Sequence, residues 1–534
     1  MKRVISILLS LSLVSLIPIA GSCKPEETPV PEEPAVEEPE EPETPDTPDT
    51  PGEDLDTPQT DPGDGIVRIL AIGNSFSQDA VEQYLYDLFD AAGIKVIIGN
   101  MYIGGCSLET HWTNASAGNA AYYYRKIVDG TKTETSGVTL SAGIEDEKWD
   151  YISLQQVSGK SGVYSTYSPY LADLIGYVKA HAKKADVSIM LHQTWAYQTG
   201  STHSDFPTYG SDQMTMYNAI VDAERKAAED NSISIVIPSG TAIQNGRTTY
   251  LGDSFNRDGY HLEITYGRYT AACTWFETIS GKNVVGNGYH PDTIDNYVAK
   301  LAQSCAHAAV QSPWTVTVMS EFATPEIVDK DMSKPVCIDF GGGSTASPEG
   351  WNKVAVYKTD APVYLKNTSD EYSVVRIKAL EGFTGTHNGV GSEPDSAITI
   401  GEDSYAKAVW SDGIIVSGTK GQGNAGPANV VLSGFDTAAR YMIRILAVRY
   451  NGSAAARECR YVVKGKEETE SKSIFPGLKT YDTAAGDFSG YQLQFSDIVP
   501  ASDGTITVSV TGVDTSLAAD GLISALVISR ANSL

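Results

Sequence analysis

The sequence predicts an α/β domain built on a mainly parallel sheet with helices on both faces, followed by an all-β domain. Three observations predict it. Between about Ile66 and Ser312, β-forming runs alternate with helical periodicity, the pattern of a parallel sheet covered on both sides. Beyond Pro335, short strands sit between Gly, Asp and Ser turns with little helical periodicity, which is a β-sandwich signature. At 534 residues the chain exceeds what one core accommodates, so two folded domains and a tail are expected.

The tail comes first. Met1-Lys2-Arg3, an apolar stretch from Val4 to Ala20 and the small residues Gly21-Ser22 before Cys23 read as a secretory leader over 1–22. The ending Ala20-Gly21-Ser22-Cys23 resembles the lipobox of bacterial lipoproteins, which implies cleavage before Cys23, a lipid on its thiol and a membrane reached through that anchor. Residues 23–65 are rich in Pro, Glu, Asp and Thr. Sixteen acidic residues between Glu26 and Asp64 stand against the single Lys24, giving this segment −15 of the formal −28. Such a composition cannot bury a core and is expected to form an extended tether. The acidity argues against nucleic acid as a partner but says little about an active site. Lys24-Pro25-Glu26-Glu27 is similar to the acidic export signals of surface lipoproteins in Bacteroidetes-type bacteria, which implies a surface-exposed location on the outer membrane.

The first domain is expected over 66–312. Ile69-Leu70-Ala71-Ile72-Gly73 is a strand, and Asp79 to Phe89 has helical spacing, so Asn74-Ser75 falls at a strand-to-helix turn. There the Ser75 hydroxyl is exposed, and Asp258-Gly259-Tyr260-His261 supplies the base that such a hydroxyl needs at neutral pH. Positions i and i+3 of a turn lie side by side, so Asp258 can hold one ring nitrogen of His261 while the other faces Ser75. Further strands are Lys95 to Ile103, a run from Trp149 that ends in the carboxamides Gln155 and Gln156, Val187 to Leu191 and Ser232 to Ile237. Helices are expected near Val81 and Leu171, and over Met214 to Ala228, Tyr266 to Ile279 and Ile294 to Val310. Asp129-Gly130 marks a hairpin, read as a small β insertion beside the cleft.

Taken together, Gly73-Asn74-Ser75 and Asp258-x-x-His261 resemble the first and last motifs of the SGNH, or GDSL-like, hydrolases, and among them the esterases acting on decorated carbohydrates. The resemblance implies a flavodoxin-like three-layer α/β/α fold, Ser75 as nucleophile, His261 as base and Asp258 as its orienting carboxylate. Asn74 stands where that family more often has Asp. Gly104-Gly105 after the second strand looks like the second motif, with the Gly105 N–H, or alternatively that of Gly104, joining the Ser75 N–H at the oxyanion. The third motif, Gly-x-Asn-Asp, is absent. One of Gln155 and Gln156 is the expected replacement donor. His192 and Trp195 follow another strand, where ligands collect in open α/β sheets, and are candidates for the substrate cleft.

No metal or organic cofactor is implied. The cysteines other than Cys23 are Cys106, Cys273, Cys305, Cys337 and Cys459, without Cys-x-x-Cys spacing, so a structural zinc site is not expected. Pairing of Cys273 with Cys305 or Cys337 with Cys459, or five buried thiols, are both open; Cys106 reads as packing. Residues 313–334 are expected to form a linker, and 335–534 a sandwich resembling the galactose-binding-like jelly rolls of carbohydrate-binding modules, with Trp351, Tyr357 and Trp410 as core or stacking residues. The expected function is a serine esterase removing acetyl or similar O-acyl groups from a polysaccharide or glycan. The alternatives are a glycan-binding lipoprotein that has lost catalysis, or a lipid or thioester hydrolase. The oligomeric state is not legible.

Overall fold

The computed structural model describes residues 64–342, 346–388, 395–401, 403–450, 457–478, 488–514 and 519–531. The expected leader over 1–22, Cys23 and nearly all of the tether lie outside the described residues.

The first domain runs β1 (Ile66–Gly73), α1 (Ser75–Val81), α2 (Leu85–Ala91), β2 (Lys95–Tyr102), α3 (Leu108–Ala117), β3 (Tyr122–Val128), β4 (Thr131–Val138), α4 (Leu140–Ile144), β5 (Tyr151–Leu154), α5 (Tyr170–His181), β6 (Ser188–His192), α6 (Gln213–Asp230), β7 (Ile235–Ile237), α7 (Ser239–Gly246), α8 (Tyr266–Ser280) and α9 (Asn296–Gln311). The sheet order is β4-β3-β2-β1-β5-β6-β7. Five strands, β2-β1-β5-β6-β7, pair in parallel, in the doubly wound order of flavodoxin-like folds. Successive residues of β1 point to opposite faces, as the two-residue period requires. Ile69 and Ala71 pack with α1, α2, α8 and α9, whereas Leu70 and Ile72 pack with α3, α4 and α5. This two-sided burial is why the strand reads as a continuous apolar run.

Asp129 and Gly130 both have positive φ, 48° and 73°, as the two central residues of a tight hairpin turn require. The hairpin is not a separate insertion. β3 pairs antiparallel with β2 through six rungs, from Ile97 with Val128 to Tyr102 with Tyr123, and extends the main sheet. Glu82, at the end of α1, locks it there by pairing with Arg125 at 3.0 Å and Lys132 at 3.3 Å.

The expected linker is only partly one. Phe322 is fully buried in the first domain's core, with Trp314, Val316 and Met319 packed against it. Backbone N–H groups of Thr317 and Met319 donate to Asn245 and Thr248 at 2.7 and 2.9 Å. The second domain is rich in antiparallel strands. A six-stranded sheet holds Tyr372–Glu381, Ala425–Ser433 and Ile506–Val513, and a five-stranded sheet holds Val336–Phe340, Tyr441–Leu446 and Ala525–Arg530. Residues from both sheets share one core, including Val430, Val508, Ile443 and Ile528. Trp410 is buried with its indole N–H on the Ser396 carbonyl, so it is a packing residue, while Tyr357 is exposed. Cys106, Cys273, Cys305, Cys337 and Cys459 are all free, buried thiols, which settles the disulfide question against pairing.

Close packing on the α3–α5 face leaves no room for a side chain at Gly99 of β2. A Cβ there would lie 2.7 Å from Leu70 Cδ1 and 2.8 Å from the ring of Trp149, which is held by its indole N–H on the Gly143 carbonyl. Gly99→Ala is expected to lower the unfolding free energy by about 1–3 kcal/mol, read as a lower denaturant midpoint at unchanged slope.

Candidate active site

Three side chains meet at the carboxyl end of the central strand. β1 ends at Gly73, and Asn74 caps α1, its Oδ1 accepting the Phe76 N–H at 3.0 Å. Ser75 is therefore the first residue of the helix, partly exposed, and its N–H has no acceptor among the described residues. The segment between α7 and α8 brings Asp258 and His261 to it. The Ser75 hydroxyl lies 2.9 Å from His261 Nε2, and His261 Nδ1 lies 2.7 Å from Asp258 Oδ2. The carboxylate on Nδ1 fixes the proton there, which leaves Nε2 as acceptor for the Ser75 O–H. Asp258 Oδ1 also accepts the backbone N–H of His261 at 2.8 Å and of Tyr260 at 3.3 Å, closing the turn that the i, i+3 spacing anticipates. Partial burial alone would raise the Asp258 carboxyl, but the hydrogen bonds and charge of His261, with the Tyr260 N–H, outweigh it and hold the group below its ordinary range.

The segment carrying Asp258 and His261 is clamped to the helix carrying Ser75. Asp79, one turn after Ser75 and buried, accepts the Leu262 N–H at 2.9 Å and ion-pairs with Arg257 at 3.0 Å and Arg268 at 2.6 Å. Arg257 also donates to the Leu262 carbonyl, so the clamp grips both sides of His261. In the sequence Asp79 marks only the start of a helical pattern. Its spacing from Ser75, with arginines at 257 and 268 flanking the Asp-x-x-His motif, is the signal that was there to read.

The oxyanion side is built differently from expectation. Gly104 and Gly105 are exposed between β2 and α3, Gly105 has φ 62°, and neither N–H has an acceptor among the described residues. The expectation that one of Gln155 and Gln156 donates to the oxyanion needs correction, because both are 1% exposed and internally bound. Gln155 Nε2 donates to Asn74 Oδ1 at 2.8 Å. Gln156 Nε2 donates to the Thr166 carbonyl and hydroxyl at 3.1 and 3.0 Å, and its Oε1 accepts from Leu108 N at 3.1 Å. His192 and Trp195 are likewise corrected, since both are fully buried and line no cleft. Trp195 stacks on Phe76 at 4.1 Å and donates its indole N–H to the Tyr260 carbonyl at 2.7 Å.

His192 belongs to a buried hydrogen-bonded chain that reaches the residue before Ser75. Gln155 Oε1 accepts from His192 Nδ1 at 3.0 Å, and His192 Nε2 takes the Ser239 hydroxyl at 3.1 Å. Burial pushes the His192 imidazole down to about 3, so it stays neutral, with its single proton on Nδ1. At the other end of these hydrogen bonds, Asn74 Nδ2 donates to the Cys106 carbonyl at 3.0 Å, which ties the nucleophile turn to the glycine loop. Cys106 is no rival nucleophile, because burial pushes its thiol up to about 12.

Residues 68–309 match the family described as "Domain of unknown function (DUF4886)". A DUF4886 protein from Bacteroides uniformis ATCC 8492 is 53% identical over 48% of this chain and 99% of its own, with TM-score 0.47. A protein from Slackia heliotrinireducens, provisionally designated an SGNH hydrolase, is 22% identical over 40% of this chain and 99% of its own, with TM-score 0.30. Axe2, an acetylxylan esterase from Geobacillus stearothermophilus, is 14% identical over 40% and 94%, with TM-score 0.28. No curated protein matches.

Replacing Gln155 by Ala removes the link between His192 and Asn74 while leaving Ser75, His261 and Asp258 themselves unchanged. Because it leaves the buried His192 Nδ1–H without its acceptor, Gln155→Ala is expected to lower the unfolding free energy by about 1–3 kcal/mol, measured by denaturant melts. The sequence identity across the whole of the Bacteroides uniformis protein places this chain in the DUF4886 family.

Proposed function

We propose that this chain is a serine esterase that removes acetyl or similar small acyl groups from a glycan, held at the bacterial surface by a lipid on Cys23. The observation that carries the reading is the hydrogen-bonded line from Ser75 Oγ through His261 to Asp258, 2.9 and 2.7 Å long, at the carboxyl end of the central strand. The Ser75 oxygen attacks the ester carbonyl as its proton passes to His261 Nε2, and Asp258 holds the resulting imidazolium. The Ser75 and Gly105 N–H groups receive the negative charge on the carbonyl oxygen. The imidazolium then protonates the departing sugar oxygen, and water entering in its place is activated by the same nitrogen to release the acid.

A small acyl group on a polar alcohol suits the surroundings better than a lipid. Beside the imidazole lie Asp258 and Tyr260, with His203 packed against Tyr260, all partly or fully exposed, and the glycine loop next to Ser75 is exposed as well. A long acyl chain would need apolar surface to displace water from, and these groups supply little. One observation favours the second reading, a glycan binder without turnover. With Gln155 and Gln156 both engaged internally, no side-chain donor of theirs is left for the oxyanion.

Release of acetate from an acetylated polysaccharide panel tests the first reading. Wild type is expected to turn over, and Ser75→Ala to fall to background; retention of full activity by Ser75→Ala would sink it. Asp258→Asn is expected to lose about 10⁴-fold in kcat through the wrong imidazole tautomer. The same variant tests the carboxyl's lowered position. A carboxyl held lower in the folded state than in the unfolded one stabilises the fold above its unfolded pKa and ceases to do so as pH falls through its folded value. Any melting-temperature advantage of wild type over Asp258→Asn at neutral pH should therefore narrow below about pH 4, read by thermal melts across pH.

A further inference from the structure

The step that fixes where the alcohol sits is the return of a proton from His261 Nε2 to the leaving oxygen. That oxygen must come within about 3 Å of Nε2, so the rest of the alcohol lies against whatever flanks the imidazole on its open side. Tyr260 flanks it, with ring centroids 4.1 Å apart, and His203 lies 4.7 Å beyond in an edge-to-face arrangement with Tyr260. All three are partly exposed.

His203 is held there by the chain, not by chance of rotamer. The segment after β6 that bears it is seated on the turn of the triad. Gln198 N–H donates to the Gly259 carbonyl at 2.9 Å, and Gly259, at φ 93°, approaches Ser201 so closely that a Cβ would lie 2.9 Å from its hydroxyl. The Asp205 backbone N–H donates to His203 Nδ1 at 3.2 Å, so Nδ1 is an acceptor and the neutral ring carries its proton on Nε2. Neither that Nε2–H nor the Tyr260 hydroxyl has a hydrogen-bond partner among the described residues. By contrast, the hydroxyls of the neighbouring Tyr197 and Tyr209 are bound internally, at 2.9 Å to Ser158 and to Gly159.

We infer that Tyr260 and His203 form the subsite for the alcohol part of the substrate, and that this alcohol is a pyranose of a glycan. An aromatic face beside a fixed N–H donor and a free hydroxyl matches the two surfaces of a sugar ring, its C–H face and its hydroxyl rim. This rests on the esterase reading for the position of the leaving oxygen, and it adds the residues that choose the alcohol.

The test uses the full chain and two acetate esters, an acetylated oligosaccharide and ethyl acetate, whose alcohol has neither ring nor further hydroxyls. Tyr260→Phe keeps the ring and removes the hydroxyl, His203→Ala removes the donor, and His203→Gln restores one. The ratio of kcat/KM for the oligosaccharide over that for ethyl acetate is expected to fall at least about fivefold in His203→Ala and in Tyr260→Phe, and to recover partly in His203→Gln. A ratio within about twofold of wild type in both, including an equal loss on both esters, overturns the subsite. A binding arm separates this from the esterase reading. In the Ser75→Ala background, calorimetry with the acetylated oligosaccharide is expected to show His203→Ala weakening Kd about fivefold or more, and unchanged binding overturns the proposal whatever the turnover assays give.

Discussion

A carboxylate that never touches the reacting atoms decides whether this site exists. Ser75 and His261 are 186 residues apart in sequence, and the hydrogen bond between them is worth little against the entropy of bringing two such segments together. Asp79 supplies what that bond cannot. It is buried on the helix that begins with Ser75, yet its charge is answered by Arg257 of the other segment and Arg268 of α8, and it takes the backbone N–H of the residue next to His261. Taking away one member of a buried ionic cluster leaves the others uncompensated at a cost of about 3–5 kcal/mol. The Asp258–His261 turn can therefore not drift from α1 without exposing or orphaning charge.

Beneath the nucleophile a second, uncharged network does the complementary task. Ser239, His192, Gln155 and Asn74 form one chain of hydrogen bonds that starts under β6 and β7 and ends on the Cys106 carbonyl beside the glycine loop. Each amide in it is oriented by its neighbours. Since Gln155 Nε2 must serve Asn74, its Oε1 faces His192, and His192 must present Nδ1–H. Burial keeps the His192 imidazole neutral, so the network does not change its donor pattern around neutral pH. The two networks meet at the turn Gly73-Asn74-Ser75, one from the helix side and one from the sheet side.

What the sequence shows and what it hides divides along burial. The alternation of strands and helices, the turn at Ser75, the Asp-x-x-His spacing and the Asp129-Gly130 hairpin are all local patterns, and each has a local physical cause. Gln155, His192 and Trp195 are local in the same sense, being polar or aromatic groups at strand ends, and there the local reading misplaces them. Whether such a group opens onto solvent or is roofed over depends on the Asp258–His261 segment and the loop after β6, which arrive from elsewhere in the chain. Trp195 is covered because Phe76 and the Tyr260 carbonyl close over it. Helices α3 and α7 are hidden in the sequence for a related reason. Leu108–Ala117 is flanked by solvent on much of its length and carries polar residues, whereas Ser239–Gly246 is buried throughout, so neither shows a clean apolar stripe.

The residue before the nucleophile has a physical reason to be an amide. Its Oδ1 receives both the Phe76 N–H and the Gln155 amide, and a carboxylate could do as much. Its Nδ2, however, donates to the Cys106 carbonyl, and a carboxylate would meet that carbonyl with a second acceptor. The glycine loop would then lose its tie to the nucleophile turn, and a negative charge would sit at the capping position beside the point where the transition state gathers negative charge of its own. In the proposed reaction two backbone N–H groups, rather than two plus a side-chain amide, receive that charge, so the site can tolerate little repulsion nearby. A neutral Asn74 and an internally bound Gln155 are thus one arrangement. The glutamine orients the asparagine, and the asparagine fixes the loop whose glycine N–H is the proposed donor to the oxyanion.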